Sequence, residues 1–100
     1  MSYVILEVAN THGGNKDYLI SLLDCYSEFN QINKGVKFQI FSPESICTAN
    51  YKNREVFEKF YFDSFEWNEI INYAKNYDIW LDIFDSYSLD ILTQNLDKIH

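Results

Sequence analysis

The stretch Gly35-Val36-Lys37-Phe38-Gln39-Ile40-Phe41 decides the fold of this chain. β-branched and aromatic residues follow a glycine, and Ser42-Pro43 ends the run, so the pattern predicts a short β-strand over 36–41. Successive side chains of a strand point to opposite faces, which places the apolar ones on one face: Val36, Phe38 and Ile40. The other face receives Lys37 and Gln39, which an edge strand would show to water.

Two further apolar runs, at 3–8 and 79–84, flank this strand in the sequence, and helical patterns separate all three. Nearly continuous apolar runs are typical of parallel strands whose two faces are both covered. In such a sheet Lys37 and Gln39 have no solvent to point at and need polar or anionic partners, and a ligand is one such partner. The sequence therefore predicts an α/β fold with parallel strands and a polar layer inside it.

Composition narrows the class of protein. A chain of 100 residues with 47% hydrophobic residues is one folded domain rather than a disordered segment. The net charge of −7, from 15 acidic and 8 basic side chains, argues against binding to nucleic acids or to membrane surfaces. No apolar run is long enough to cross a membrane, and the start of the chain lacks the basic residues of a signal peptide. Cys25 and Cys47 have no metal-type spacing, so we expect a reduced, cytoplasmic protein with Cys25 on the buried side of a helix.

Apolar residues at helical spacing predict helices over 16–31, 64–76 and 86–97, and a short one over 53–60. Asn15, Ser64, and Asp85 or Ser86 are the predicted N-caps. The residues expected to be buried in these helices are Leu19, Leu22, Leu23, Tyr26 and Phe29; Val56, Phe57 and Phe60; Trp67, Ile70, Ile71 and Ala74; and Leu89, Leu92, Leu96 and Ile99. Residues 1–100 thus form one domain of three βα units with right-handed crossovers.

Four polar residues lie in the later halves of the three strands: Glu7, Lys37, Gln39 and Asp82. Parallel strands would bring these side chains into one layer at their carboxyl ends, where α/β enzymes hold their active sites. The alternative is an internal Glu7–Lys37 ion pair that only neutralises both charges. His12, in the loop after Glu7, is by itself more typical of a surface or hydrogen-bonding histidine, and a single histidine makes no metal site.

Three stretches of the sequence stand out as motifs. The first is Glu7-Val8-Ala9-Asn10-Thr11-His12-Gly13-Gly14, the second is Val36-Lys37-Phe38-Gln39, and the third is Leu81-Asp82-Ile83-Phe84-Asp85 followed by Ser88-Leu89-Asp90-Ile91-Leu92. In this order they resemble the E-I-G-x-N-H-x-G opening, the V-K-F-Q strand at a similar distance, and the L-S-T-P-F-D and S-V-D-F-L segments of the N-acetylneuraminate (sialic acid) synthase family. The resemblance spans essentially the whole chain.

This resemblance implies a (β/α)8, or TIM, barrel that condenses phosphoenolpyruvate with an N-acetylated sugar such as N-acetylmannosamine, using a divalent metal (Mn or Mg). By position, Glu7 matches the acid at the sugar carbonyl and Lys37 the lysine that binds phosphoenolpyruvate. Gln39 matches a glutamine that contacts the sugar, and we place His12 and Asp82 among the substrate-binding candidates. Glu7 and Lys37 are the catalytic candidates.

The chain departs from the family at two places. Thr11 stands where the family has asparagine. Asp82-Ile83 replaces Ser-Thr-Pro with one residue fewer, so that an acid stands where the family has a hydroxyl near the phosphate. The second departure opens the question of which donor the site accepts.

A complete barrel needs about 250 residues, so the sequence predicts only the N-terminal three βα units of one. We expect the chain alone to be inactive, with the metal ligands outside it, and to self-associate through its open sheet edges. Two alternatives remain open: a non-catalytic half-barrel interaction module or degenerate remnant, and an enzyme of another class, which only Asp82 supports.

Overall fold

The computed structural model describes residues 3–28, 33–46, 52 and 54–100. Its elements are β1 (Tyr3–Ala9), α1 (Lys16–Ser27), β2 (Asn33–Ile40), α2 (Pro43–Ile46), α3 (Arg54–Lys59), α4 (Ser64–Tyr73), β3 (Asp78–Ile83) and α5 (Ser86–Gln94). The strands form one parallel sheet in the order β1-β2-β3, so β2 is central. The predicted α/β fold of three βα units is confirmed.

One face of the central strand forms the middle of the hydrophobic core. Val36, Phe38 and Ile40 are completely buried, as their alternation predicts. The helices contribute the residues that cover them, which are Leu19, Leu23 and Tyr26 of α1, Trp67, Ile70 and Ile71 of α4, Ala74 just after α4, and Ile91 of α5. Because all these side chains belong to one cluster, the helices lie on one side of the sheet. We call the other side, which carries Lys37 and Gln39, the open face.

The expectation that both faces of the sheet are covered is wrong for the described part of the chain. On the open face Tyr3 and Ile5 are exposed, and so is Phe84 just beyond β3. Three strands cannot curl far enough to close on themselves, and of the contacts on this side the ring of His100 lies 4.3 Å from that of Trp80, at the edge of the sheet. Its polar residues therefore meet water rather than a dry interior.

The helices begin at side-chain caps. Asn15 Oδ1 accepts a hydrogen bond from Tyr18 N at 3.0 Å, as predicted for α1. The cap of α4 is Asp63 rather than Ser64, since its carboxylate accepts from Glu66 N while the Glu66 side chain accepts from Asp63 N. For α5, Asp85 is the cap.

The helices are shorter than the apolar patterns predicted. Helix α4 ends at Tyr73 instead of 76, because Tyr77 N donates to Ala74 O in a turn that leads into β3. Helix α5 ends at Gln94 instead of 97, with Asn95 N donating to Leu92 O. Helix α1 ends at Ser27, and residues 29–31 of the predicted helix lie outside the described part.

The buried stripe of α5 was predicted wrongly. Ser88, Ile91 and Asn95 face the core, whereas Leu89 and Leu96 are 50% and 64% exposed. Two polar residues can occupy the inner face because their hydrogen bonds are made there: Ser88 Oγ accepts from Phe84 N, and Asn95 Nδ2 donates to Ile91 O. Leu92 and Ile99 are only partly buried.

Two smaller predictions also fail. Cys25 is exposed, because the buried stripe of α1 runs through Leu23 and Tyr26, and a residue two positions after Leu23 lies on another side of the helix. Val56 in α3 is exposed as well. Cys47 and Phe29 lie outside the described residues. Across the described ranges, none of the helices has both the length and the apolar composition that crossing a membrane requires.

A buried histidine closes the loop between β1 and α1. His12 is 2% exposed, its Nδ1 accepts from Gly14 N at 2.9 Å, and its ring centre lies 4.6 Å from that of Phe62. Gly14 has a φ of +78°, and a side chain there would meet the carbonyl oxygen of Lys59, so the loop packs tightly on the end of α3. Burial lowers the pKa of His12 from 6.5 to about 4, which keeps the ring neutral.

Protonation of His12 should destabilise this loop at mildly acidic pH. In the unfolded chain the His12 ring binds a proton below pH 6.5, whereas in the folded chain it does so only near pH 4. Stability is therefore highest above pH 6.5 and falls as the pH drops towards 4, by about 3 kcal/mol from this residue. Urea unfolding of the wild type and of His12→Asn, which keeps an acceptor for Gly14 N, measures the difference. Equal pH dependence of the two proteins between pH 6.5 and 4 contradicts the prediction.

The exposed apolar residues of the sheet should make the isolated chain associate. We expect dimers or larger species in light scattering at micromolar concentration, because unpaired strand edges and exposed apolar side chains favour contacts between molecules. Ile5→Lys on the open face should shift the population towards monomer. Asn72→Lys, which adds the same charge at an exposed position of α4, should not. A sharp monomer peak for the wild type contradicts this expectation.

Candidate functional site

The ammonium group of Lys37 lies between two carboxylates on the open face. In the sheet register Lys37 pairs with Glu7 on β1, and Gln39 pairs with Asp82 on β3. Lys37 Nζ lies 3.5 Å from Glu7 Oε2 and 3.3 Å from Asp82 Oδ1. The structure thus brings together three of the residues that the sequence analysis selected, one from each strand.

The three charged groups are partly hydrated. The exposed fractions of the side chains are 32% for Lys37, 51% for Glu7 and 30% for Asp82. The hydrogen bond to Asp82, followed by the negative charges of Asp82 and Glu7, raises the pKa of Lys37, so the side chain remains an ammonium. Ion pairs of this exposure contribute little to stability. The Glu7–Lys37 ion pair of the sequence analysis is therefore present, but it is partly exposed and Asp82 shares the same ammonium.

The carboxyl end of β1 is distorted next to Glu7. The register with β2 shifts between Glu7 and Ala9, and Ala9 has a φ of 48°. A left-handed backbone is unusual for a residue with a side chain, and bulges of this kind turn the chain sharply at the edge of a site. Val8 lies in the core by simple alternation along the strand, and the distortion after it starts the loop of Asn10 and His12.

His12 and Gln39 occupy different surroundings. The His12 ring lies among Phe60, Phe62 and Trp67 in the core, and its Nε2 has no hydrogen-bond partner among the described residues. The structure therefore does not bring His12 into contact with Lys37. Gln39 lies on the open face, half-buried and one step further along β2. A role in substrate binding stays a prediction for both residues.

A hydrogen-bonded bridge across Gly35 forms the floor beneath Lys37. Tyr3 on β1 donates its hydroxyl hydrogen to Asp78 Oδ2 on β3 at 2.7 Å, and Trp80 Nε1 donates to the Tyr3 hydroxyl at 3.2 Å. A Cβ atom on Gly35 would lie 2.6 Å from that hydroxyl, so only glycine allows the crossing. The sequence analysis missed this bridge. The sequence did contain one sign of it: Gly35 lies on the same face of the strand as Lys37, and a glycine within a strand often marks a place where another group approaches closely.

A second contact that the sequence analysis missed ties the strands together at their carboxyl ends. Asp85 Oδ2 accepts a hydrogen bond from Ser42 N at 2.7 Å, so the N-cap of α5 also holds the end of β2. A cleft of about 360 Å³ lies beside this end of β2, lined by Ser42, Pro43, Glu44, Arg54, Glu58 and Tyr61. A larger cleft of about 600 Å³ lies at the opposite end of the sheet, near Asp78 and His100, and includes none of the predicted site residues.

The described residues do not fit a metal centre. They contain no group of three or more His, Cys, Asp or Glu side chains placed to hold an ion. At the candidate site, the two carboxylates of Glu7 and Asp82 already share a cation, the ammonium of Lys37. What this arrangement can offer a ligand is one positive charge, carboxylate acceptors and the amide of Gln39.

No family model matches the chain, and no curated protein sequence matches it. Among solved structures, the chain is similar to one described as spore coat polysaccharide biosynthesis protein E from Chromobacterium violaceum. The TM-score is 0.78 and the identity 20%, over 94% of this chain and 31% of that one. It is also similar to N-acetylneuraminic acid (sialic acid) synthetase from Leptospira borgpetersenii, a structure in complex with citrate, with a TM-score of 0.78 and 20% identity over 91% of this chain and 32% of that one. The chain thus spans about a third of the length of these two proteins. It has the fold of that third, which is the fold that the sequence resemblance predicted.

Proposed function

We propose that this chain is the N-terminal part of a sialic-acid-synthase-like enzyme, which condenses phosphoenolpyruvate with N-acetylmannosamine or a related N-acetylated sugar. The observation that carries the proposal is the placement of Lys37 between Glu7 and Asp82 on the open face of a parallel sheet. In a complete barrel that face becomes the interior, and the carboxyl ends of its strands form the active site. A cytoplasmic location, inferred from the cysteine usage, belongs to the same proposal.

Each residue has a role that suits its chemistry. The ammonium of Lys37 binds the phosphate or carboxylate of phosphoenolpyruvate through charge-assisted hydrogen bonds. Glu7 acts at the sugar carbonyl, where a carboxylate can accept or deliver a proton. Gln39 binds the sugar with its amide, and His12 and Asp82 complete the set of substrate-binding candidates.

The resemblance also implies a divalent metal (Mn or Mg), and it places the ligands of that metal in parts of such an enzyme outside this chain. Because the ligands and most of the barrel wall would come from elsewhere, the chain by itself should have no synthase activity.

A second candidate function is a non-catalytic half-barrel that binds another protein chain, or a remnant of a barrel that has lost catalysis. The exposed apolar residues favour it, since Ile5, Phe84 and Leu96 form surfaces that a partner chain could cover. An enzyme of another class remains a third candidate, and the acid at Asp82 is the feature that favours it.

Kinetics of a complete, active barrel that carries these residues test the proposal. Lys37→Met keeps the apolar stem and removes the charge, so kcat/KM for phosphoenolpyruvate should fall about 10- to 150-fold, the loss of a charge-assisted hydrogen bond. Gln39→Leu should raise KM for the sugar, and Glu7→Gln should lower kcat. Steady-state assays beside thermal melts measure all three.

Lys16→Met is the matched control for Lys37→Met. Lys16 forms an ion pair with Glu69 on the helical side of the protein and has the same exposed fraction as Lys37, 32%. Both variants should melt close to the wild type, because both remove a partly exposed ion pair. A collapsed melting temperature for Lys37→Met, with a near-normal rate per folded molecule, would show that the residue is structural and overturn the site assignment.

A further inference from the structure

Asp82 places a carboxylate against the ammonium group that the proposed function assigns to an anionic ligand. Its carboxylate oxygen lies 3.3 Å from Lys37 Nζ, closer than that of Glu7 at 3.5 Å. An ammonium has three N–H donors, and here two of its sides face carboxylates from the neighbouring strands. A phosphate or carboxylate group that approaches Lys37 must therefore compete with groups that the protein already supplies.

The balance of charge opposes a free anion at this position. Glu7 and Asp82 contribute two negative charges against the single positive charge of Lys37, so the cluster has a net charge of −1. Asp78, on the same face of the sheet, adds another negative charge behind the bridge to Tyr3. An incoming anion is attracted by one group and repelled by at least two.

Asp82 opposes the anion more strongly than Glu7 does. Its side chain is 30% exposed and short, which keeps the carboxylate beside β2, whereas that of Glu7 is 51% exposed and longer. Water screens an exposed charge more than a sheltered one, so the Glu7 charge acts more weakly on a ligand at Lys37. The hydrogen bond to Asp82 also contributes most to the raised pKa of Lys37.

We propose that Asp82 is a specificity-determining residue that serves as the built-in counter-ion of Lys37, so that an anionic ligand binds only by displacing its carboxylate. The inference rests on the proposed function to the extent that Lys37 is the group that receives the anion. It adds that the side chain at position 82 sets the affinity of that site. With Asp82 in place the site binds phosphate weakly, and with a neutral side chain it binds phosphate well.

Titration of the chain with inorganic phosphate, followed by the NMR shifts of the backbone amides of residues 36–40, which every variant retains, tests this inference. Asp82→Asn keeps the size of the side chain and removes its charge, and it should bind phosphate at least about fivefold more tightly than the wild type. Glu7→Gln should increase the affinity less. Lys37→Met should abolish saturable binding at this face. Asp82→Ser provides a second neutral variant, and a thermal melt of each protein verifies that it is folded.

Asp90→Asn is the matched control, since it removes the same charge from an exposed position of α5. Its phosphate affinity should equal that of the wild type, which shows that net charge alone is not responsible. If the neutral variants at position 82 bind phosphate no better than the wild type while Lys37→Met still abolishes binding, the role of Asp82 is overturned and the anion site remains. If no variant shows binding that depends on Lys37, both this inference and the anion-binding role of Lys37 fail.

Discussion

The burial of one face of β2 against the helices is the constraint on which the rest of the structure depends. Val36, Phe38 and Ile40 are completely buried between β1 and β3 and under α1 and α4. Because successive side chains of a strand point to opposite faces, Lys37 and Gln39, which lie between these residues, are on the other face. The parallel register brings Glu7 to the level of Lys37 on one side and Asp82 to the level of Gln39 on the other, and both carboxylates reach the Lys37 ammonium. Packing on one face of the sheet thus assembles the charged cluster on the other.

The two layers of the open face are built differently. Near the amino ends of the strands, Tyr3 reaches across Gly35 to Asp78, and neutral and charged partners are joined by directional hydrogen bonds. Two residues further along, the layer around Lys37 is held by charge, and its contacts are longer, at 3.3 and 3.5 Å. The hydrogen bonds of Tyr3 do not involve Lys37, Glu7 or Asp82, so a ligand that replaced a carboxylate at Lys37 would leave that bridge intact.

The prediction of the buried stripe of α5 failed because a helical pattern does not show what packs against it. Leu89 and Leu96 have the spacing of a buried stripe, yet Ser88 and Asn95 lie inside because local hydrogen bonds satisfy them there. An apolar stripe predicts that one face of a helix is buried. Which face is buried in fact depends on the elements that pack against the helix. Cys25 was misplaced for a simpler reason, since it lies off the stripe of α1. By contrast, Trp67 and Ile70 of α4, which lies over the middle of the sheet, are buried as their spacing predicts.

The sequence by itself determined the strand-helix order, the parallel sheet and the faces of β2, because these follow from local periodicity and from the handedness of βα crossovers. It also determined that Glu7, Lys37 and Asp82 meet, since each lies in the later half of its strand. Only the tertiary structure decided how the residues are solvated and paired. The degree of exposure at Lys37, the bridge from Tyr3 to Asp78 over Gly35, and the buried ring of His12 depend on contacts between segments far apart in the chain. Such contacts arise from packing in three dimensions, which no local pattern of residues records.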